Sequence, residues 1–232
     1  MKLRYLCTII FISLFFLNIY ALYFDVFWLS ILSHIGFFVA AFMLFCEEAK
    51  SCSINFFLFF TLTLIAYFFR SLSEFWHFNE LSLITQAAGY LALMMEAVKN
   101  FKIKIGSPIM LVYFFGIIGL NIYLLLMHVF ELEPYFSNLL TLIIVGFYYV
   151  NLAVLGVIAF LYYLNSYSKK SMFFISLVLS IVFADILRDM GVFYFKDISV
   201  EVAESVIRIG SAIFAVLFFI TKEKKLQLIN FV

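Results

Sequence analysis

The stretch that decides the fold is residues 169–225, KKSMFFISLVLSIVFADILRDMGVFYFKDISVEVAESVIRIGSAIFAVLFFITKEKK. It holds two apolar runs, residues 171–195 and 198–221. A helix needs about 20 such residues to cross the hydrocarbon of a bilayer. Lys169 and Lys170 precede the first run, and Lys222, Lys224 and Lys225 follow the second. Only Lys196 and Asp197 stand between the runs, so the connection is short and the two helices must be antiparallel. Both lysine clusters then fall on one side of the membrane, as the positive-inside bias of membrane proteins requires.

Working outward, the rest of the chain repeats this pattern. Of the 232 residues, 66% are apolar, 12% are charged and 33 are Phe. The mean hydropathy is +1.14. A soluble domain carries about 25% charged residues and under about 50% apolar ones. A soluble enzyme and a disordered chain are excluded, and a net charge of +1 leaves no basic face for nucleic acid. Six further runs precede the hairpin, at residues 5–24, 26–46, 53–69, 80–98, 107–130 and 135–164. Ser107 suits the cap and Pro108 the first turn of the fifth helix, and Pro134 similarly opens the sixth. Lys2 and Arg4 imitate the start of a signal peptide, but the first run is long and has no A-x-A site, so it reads as a retained span.

The expected fold is therefore all-α: one polytopic integral-membrane bundle over residues 1–232, with eight transmembrane helices. With the N-terminus inside, Lys2, Arg4, Lys50, Lys99, Lys102, Lys104, Lys169, Lys170, Lys222, Lys224 and Lys225 are cytoplasmic. Only Arg70 and Lys196 are outside. Both termini are then cytoplasmic, and Trp28, Trp76, Tyr135 and Tyr194 fall at the outer interface. The Phe-, Ile- and Lys-leaning composition suggests an AT-rich bacterial genome and hence an inner membrane. A parallel four-plus-four repeat, with half-repeats 1–104 and 105–232, is a candidate. Phe69, Arg70, Ser71 and Leu72 can be laid on Phe183, Ala184, Asp185 and Ile186, while Glu80 and Gly89 fall on Glu201 and Gly210.

Ionisable groups inside spans are expensive and are candidate functional residues. The seventh helix carries Asp185, Arg188 and Asp189 on one face, and the eighth carries Glu201, Glu204 and Arg208. At about 1.5 Å per residue, Asp185 and Arg208 both lie roughly 15 Å deep and should pair. Arg188 and Glu204 sit higher at matching levels, which would leave Asp189 and Glu201 near the outer surface. Arg70 is the natural third cation. His34, Gln86, Asn18 and Asn138 lie in the same outer half, while the inner half is nearly all Phe, Leu and Ile, with Glu96 its one acidic candidate. The expectation is a polar cavity open to the extracytoplasmic side. Structural charge pairing, ligand binding and ion translocation all remain open for these residues.

Other chemistry finds little support. His77, His128, Glu74, Glu131 and Glu133 lie near the outer surface without diagnostic metal-ligand spacing. Cys7, Cys46 and Cys52 are too few and too scattered for a disulfide framework. No G-x-S-x-G, H-E-x-x-H or Gly-rich phosphate loop is present. Every Lys lies at a helix end or in a loop, against a retinal Schiff base. No metal and no cofactor is expected.

Eight short-looped helices with both ends inside resemble the YhhN-type lysoplasmalogenase family. In that family the seventh helix carries a small residue followed by Asp, and residues 180–185, SIVFAD, are similar, with Ala184 in place of Ser. The resemblance implies hydrolysis of a lysolipid vinyl ether, with Asp185 as acid and Asp189 and Glu204 as supporting carboxylates. Arg70, Arg188, Arg208, Glu201, His34 and Gln86 would pair charges or hold the head group, and a membrane lipid would be the partner. The family's third helix ends in Gly-Asp, whereas this chain reads Phe69, Arg70, Ser71, so the second carboxylate is missing. Two other classes stand beside a lipid hydrolase or lipid binder. One is a non-catalytic subunit among other membrane proteins. The other is a small-molecule transporter, although Pro108 and Pro134 both sit at helix starts rather than in a broken mid-membrane helix.

Overall fold

A computed structural model describes residues 2–48, 53–72, 77–99, 108–136, 138–194 and 197–224. Eight α-helices follow one another: α1 (Lys2–Tyr23), α2 (Phe27–Glu48), α3 (Ile54–Ser71), α4 (Phe78–Lys99), α5 (Pro108–Leu132), α6 (Leu139–Ser166), α7 (Lys169–Asp189) and α8 (Ile198–Ile220). Six of these, α2, α3, α4, α6, α7 and α8, are long and apolar enough to cross a membrane. Large apolar side chains cover the outside as well as the core: Val112 and Leu139 are more than 70% exposed, while Asp185 is fully buried. A bilayer accounts for an apolar exterior of this extent, and the protein is a multi-pass integral membrane protein.

Local chemistry sets the helix ends. Asp25, in the left-handed region at φ 53°, turns the chain between α1 and α2. The sixth helix begins at Leu139 and not at the expected residue 135, because Pro134 belongs to a separate 3-10 turn, Glu133–Tyr135. The Asn138 side chain caps α6 by accepting from the Leu140 N–H at 3.1 Å, and it is exposed rather than in the expected polar half. Between α6 and α7, Tyr167 is left-handed at φ 44°, and Ser168 and Ser171 form a reciprocal capping box. The seventh helix ends in a π-helical turn, Met190–Tyr194. Asp197 caps α8 by accepting from the Ser199 N–H at 2.8 Å. Ser107 and Trp76 lie outside the described residues.

The helices pack as a closed ring. In order, α2 packs on α3, α3 on α4, α4 on α6, α6 on α7, α7 on α8, and α8 returns to α2. The fifth helix stands outside the ring against α6, and α1 stands outside it against α2 and α8. Asn18, Ser33, His34 and Ser205 join α1, α2 and α8 through hydrogen bonds and so tie the chain's beginning to its end. Phe45, Phe56, Phe60, Phe174 and Phe218 are fully buried near the end of the ring that carries Lys170, here called the lysine end. The opposite end, where α3 and α7 finish, carries the arginines.

Candidate functional site

The site at the arginine end is built around Asp185. Its Oδ1 accepts from Arg188 Nη1 at 3.3 Å and from Arg208 Nη2 at 3.1 Å. Its Oδ2 accepts from Tyr148 in a short hydrogen bond and from Tyr90 at 3.3 Å. Four helices, α4, α6, α7 and α8, each donate to this one carboxylate. Asp189, one turn further along α7, accepts from Arg188 Nε at 2.9 Å, from Tyr149 in a short hydrogen bond, and lies 3.3 Å from His128 Nε2. Glu204 accepts from Arg208 Nε on its own helix.

The depth arithmetic expects Asp185 beside Arg208, and the structure brings them together. It differs on the second pair. Arg188 turns to Asp185 and Glu204 turns to Arg208 because partners three and four residues away on the same helix are already in reach, and Arg188 also bonds its chain neighbour Asp189. Asp189 is not at the surface; it is buried under Tyr149 and His128. The tyrosines were not legible as site residues. Tyr90, Tyr148 and Tyr149 are three among 14, and only their position inside spans, where a hydroxyl needs a partner, singles them out.

Cavities open around this cluster. One, of about 270 Å³, is lined by residues of the α1–α2 turn together with His34, Arg70, Arg188, Glu201 and Glu204. A second, of about 400 Å³, is lined by Arg70, Ser82, Tyr148, Tyr149, Arg188 and Asp189. Phe27, Arg70, Arg188 and Val192 are walls of both. A small pocket of about 20 Å³ reaches inward between Arg70, Gln86, Asp185, Arg188 and Arg208. All nine expected site residues therefore line these three spaces, Asp185 in the innermost. Arg70 is a wall of all three and, among the described residues, makes no hydrogen bond and no ion pair. His34 presents Nδ1 to the Ser30 carbonyl at 2.9 Å, which requires the proton on Nδ1, and its Nε2 lies 3.4 Å from Ser205 Oγ, whose hydroxyl donates to Asn18 Oδ1. No cluster of three metal-ligating side chains occurs among the described residues.

The lysine end is more polar than its sequence suggests. Glu96 accepts from Ser53 at 3.1 Å and from Asn55 at 3.0 Å, and pairs with Lys99 and Lys170, each at 3.7 Å. Lys170 is buried and also lies over the Phe218 ring. Glu223, just past α8, accepts from Ser166 at 2.5 Å and from Tyr162. Glu96, expected as the one acidic candidate of the inner half, is thus the centre of a cluster drawn from the start of α3, α4 and α7. Aromatic packing separates this cluster from the cavities.

Two outcomes test the geometry. Asp185→Asn removes the charge that Arg188 and Arg208 share, and breaking a buried ion network costs about 3–5 kcal/mol. The melting temperature in detergent should fall by on the order of 10 °C; no change would remove Asp185 from its central place. The second concerns Glu223. Burial pushes its carboxyl up, but hydrogen bonds from Ser166 and Tyr162 and the nearby Lys170 ammonium outweigh this and hold it below the usual carboxylate range. A lowered folded-state value stabilises above the ordinary Glu value of about 4.3 and is lost as pH falls below it. Amide-exchange protection at residues 221–224, taken relative to the intrinsic rate at each pH, should therefore fall on acidification, and Glu223→Gln should abolish that fall. A pH-independent protection factor in the wild-type chain would refute it.

No protein-family model, no curated protein and no solved structure matches the chain, so the chemistry of this site rests on its own geometry.

Proposed function

We propose that this protein binds an anionic amphiphile, a membrane lipid or a lipid-derived molecule, with its head group in the cavities at the arginine end. The observation that carries this reading is Arg70. A guanidinium taken from water needs a counter-charge. Arg188 and Arg208 pair directly with Asp185, Asp189 and Glu204, whereas Arg70 makes no direct ion pair among the described residues, feels Glu204 only at longer range, and lines every lobe of the cavity. A phosphate or carboxylate head group supplies that charge, and a guanidinium can bind it with two parallel hydrogen bonds.

The resemblance to YhhN-type lysoplasmalogenases extends this to lipid hydrolysis. Each oxygen of Asp185 already accepts two hydrogen bonds, so we assign this residue to holding the arginines rather than to proton transfer. Asp189 and Glu204, which line the two larger lobes, are the carboxylates left for acid–base work. A second reading, a non-catalytic subunit of a larger complex, is favoured by α5, which packs on α6 outside the ring and exposes Val112, Phe115 and Leu120.

In this reading all eight helices span a bacterial inner membrane, both termini are cytoplasmic and the arginine end faces outward. Packing supports the four-plus-four repeat. Moving each helix four places on turns α2–α3 into α6–α7, α3–α4 into α7–α8, and α4–α6 into α8–α2.

Two measurements decide these points. Native mass spectrometry of the protein in mild detergent should find one retained anionic lipid, lost in Arg70→Gln while the melting temperature stays near wild type. Retention unaffected by Arg70→Gln would sink the head-group reading, and a stoichiometric protein partner without lipid would favour the subunit. For topology, alkaline phosphatase fused after residue 196 should be active and a fluorescent protein fused at residue 232 should glow. The reverse pattern would invert the orientation.

A further inference from the structure

An apolar groove of about 260 Å³ runs between α5 and α6, and its walls are wholly apolar. It is continuous with a narrower cleft of about 60 Å³ that reaches toward α7, the two sharing Ile122, Leu125, Ala153 and Val157. Tyr149 lines this groove and also lines the 400 Å³ polar cavity. Its hydroxyl is turned onto Asp189, so its ring stands as the partition between a charged space and an apolar one. Along α6 the apolar path extends from Gly146 to Phe160. At about 1.5 Å per residue that is about 21 Å, more than the roughly 15 Å of one hydrocarbon leaflet. It begins at the arginine end and descends toward the lysine end. A Cβ added at Gly146 would only just touch Val129, at 4.0 Å, and one at Gly156 would meet nothing within 4 Å, so the glycines leave open space along it.

The geometry points to this groove as the binding site for the hydrocarbon chain of the amphiphile, with Tyr149 at the joint between head and tail. The inference rests on the head-group reading above and adds the tail's location. Three observations favour a single straight chain over a partner helix. The groove shares its Tyr149 wall with the charged cavity, it continues into a narrower cleft, and its length suits one acyl chain from the adjacent leaflet. A lipid chain also needs no hydrogen bond from the wall; the groove offers none, and Asn121 is the one polar side chain lining the narrower cleft. His128 on α5 faces Asp189 beside Tyr149, which fixes the α5 side of the groove at its polar mouth.

The test uses the whole chain in detergent and hexadecyl phosphate carrying a photoreactive diazirine at the end of its chain. After irradiation, labelled residues are located by peptide mass spectrometry, with unlabelled hexadecyl phosphate as competitor and Arg70→Gln as the companion variant. The expected result is saturable labelling on residues 118–129 and 150–160, reduced about tenfold or more by Arg70→Gln, the loss of one charge-assisted hydrogen-bonded contact. Saturable labelling that depends on Arg70 but maps to other helices overturns the groove and leaves the head-group site standing. Labelling that does not saturate, or that ignores Arg70→Gln, overturns the head-group reading and the groove with it.

Discussion

Everything at the arginine end depends on one buried carboxylate. Asp185 has no accessible surface, and each of its oxygens accepts two hydrogen bonds. The donors come from four of the six ring helices, α4, α6, α7 and α8. A charge enclosed in a bundle within hydrocarbon cannot be left unpaired, so these helices have few alternative ways to meet. The two arginines that serve Asp185 extend the arrangement, Arg188 to Asp189 and Arg208 to Glu204. Helix register and site geometry are thus consequences of the same interaction.

That network also explains why a cavity forms beside it. Arginine side chains drawn onto Asp185 cannot fill the space above, and the chain ends α7 there with a π-helical turn instead of continuing it. π-helical turns are frequent at functional sites because they re-aim the side chains around them. Val192 from this turn, with Phe27 and Arg70, forms the wall common to both larger lobes. The hydrogen bonds among Asn18, Ser33 and Ser205, with His34 beside them, close the ring on the other side. Arg70 remains on the cavity wall, lining all three spaces without a direct ion pair among the described residues.

Much of this was legible in one dimension. Hydropathy marked the helices because hydrocarbon leaves backbone groups no partner but one another. The face shared by Asp185, Arg188 and Asp189 followed from helical spacing, and the meeting of Asp185 with Arg208 followed from counting residues along two antiparallel helices. The start of α6 is not fixed by Pro134, which is equally at home in a 3-10 turn and in the first turn of an α-helix. The partners of Glu96 are not visible in one dimension because Ser53, Asn55 and Lys170 reach it from elsewhere in the chain.

The sequence by itself determined that the chain is a membrane-embedded set of helices, where the charges lie along each, and at what depth. These are properties of composition and period, which need no knowledge of neighbours. Only the tertiary structure decided who faces whom: that Arg188 serves its own helix, that Tyr148 and Tyr149 divide between two aspartates, and that Arg70 lines all three cavities. The reason is physical. A guanidinium or a phenol can reach several partners from one backbone position, and which it takes depends on the rotation and neighbours of whole helices, set by packing around the closed ring.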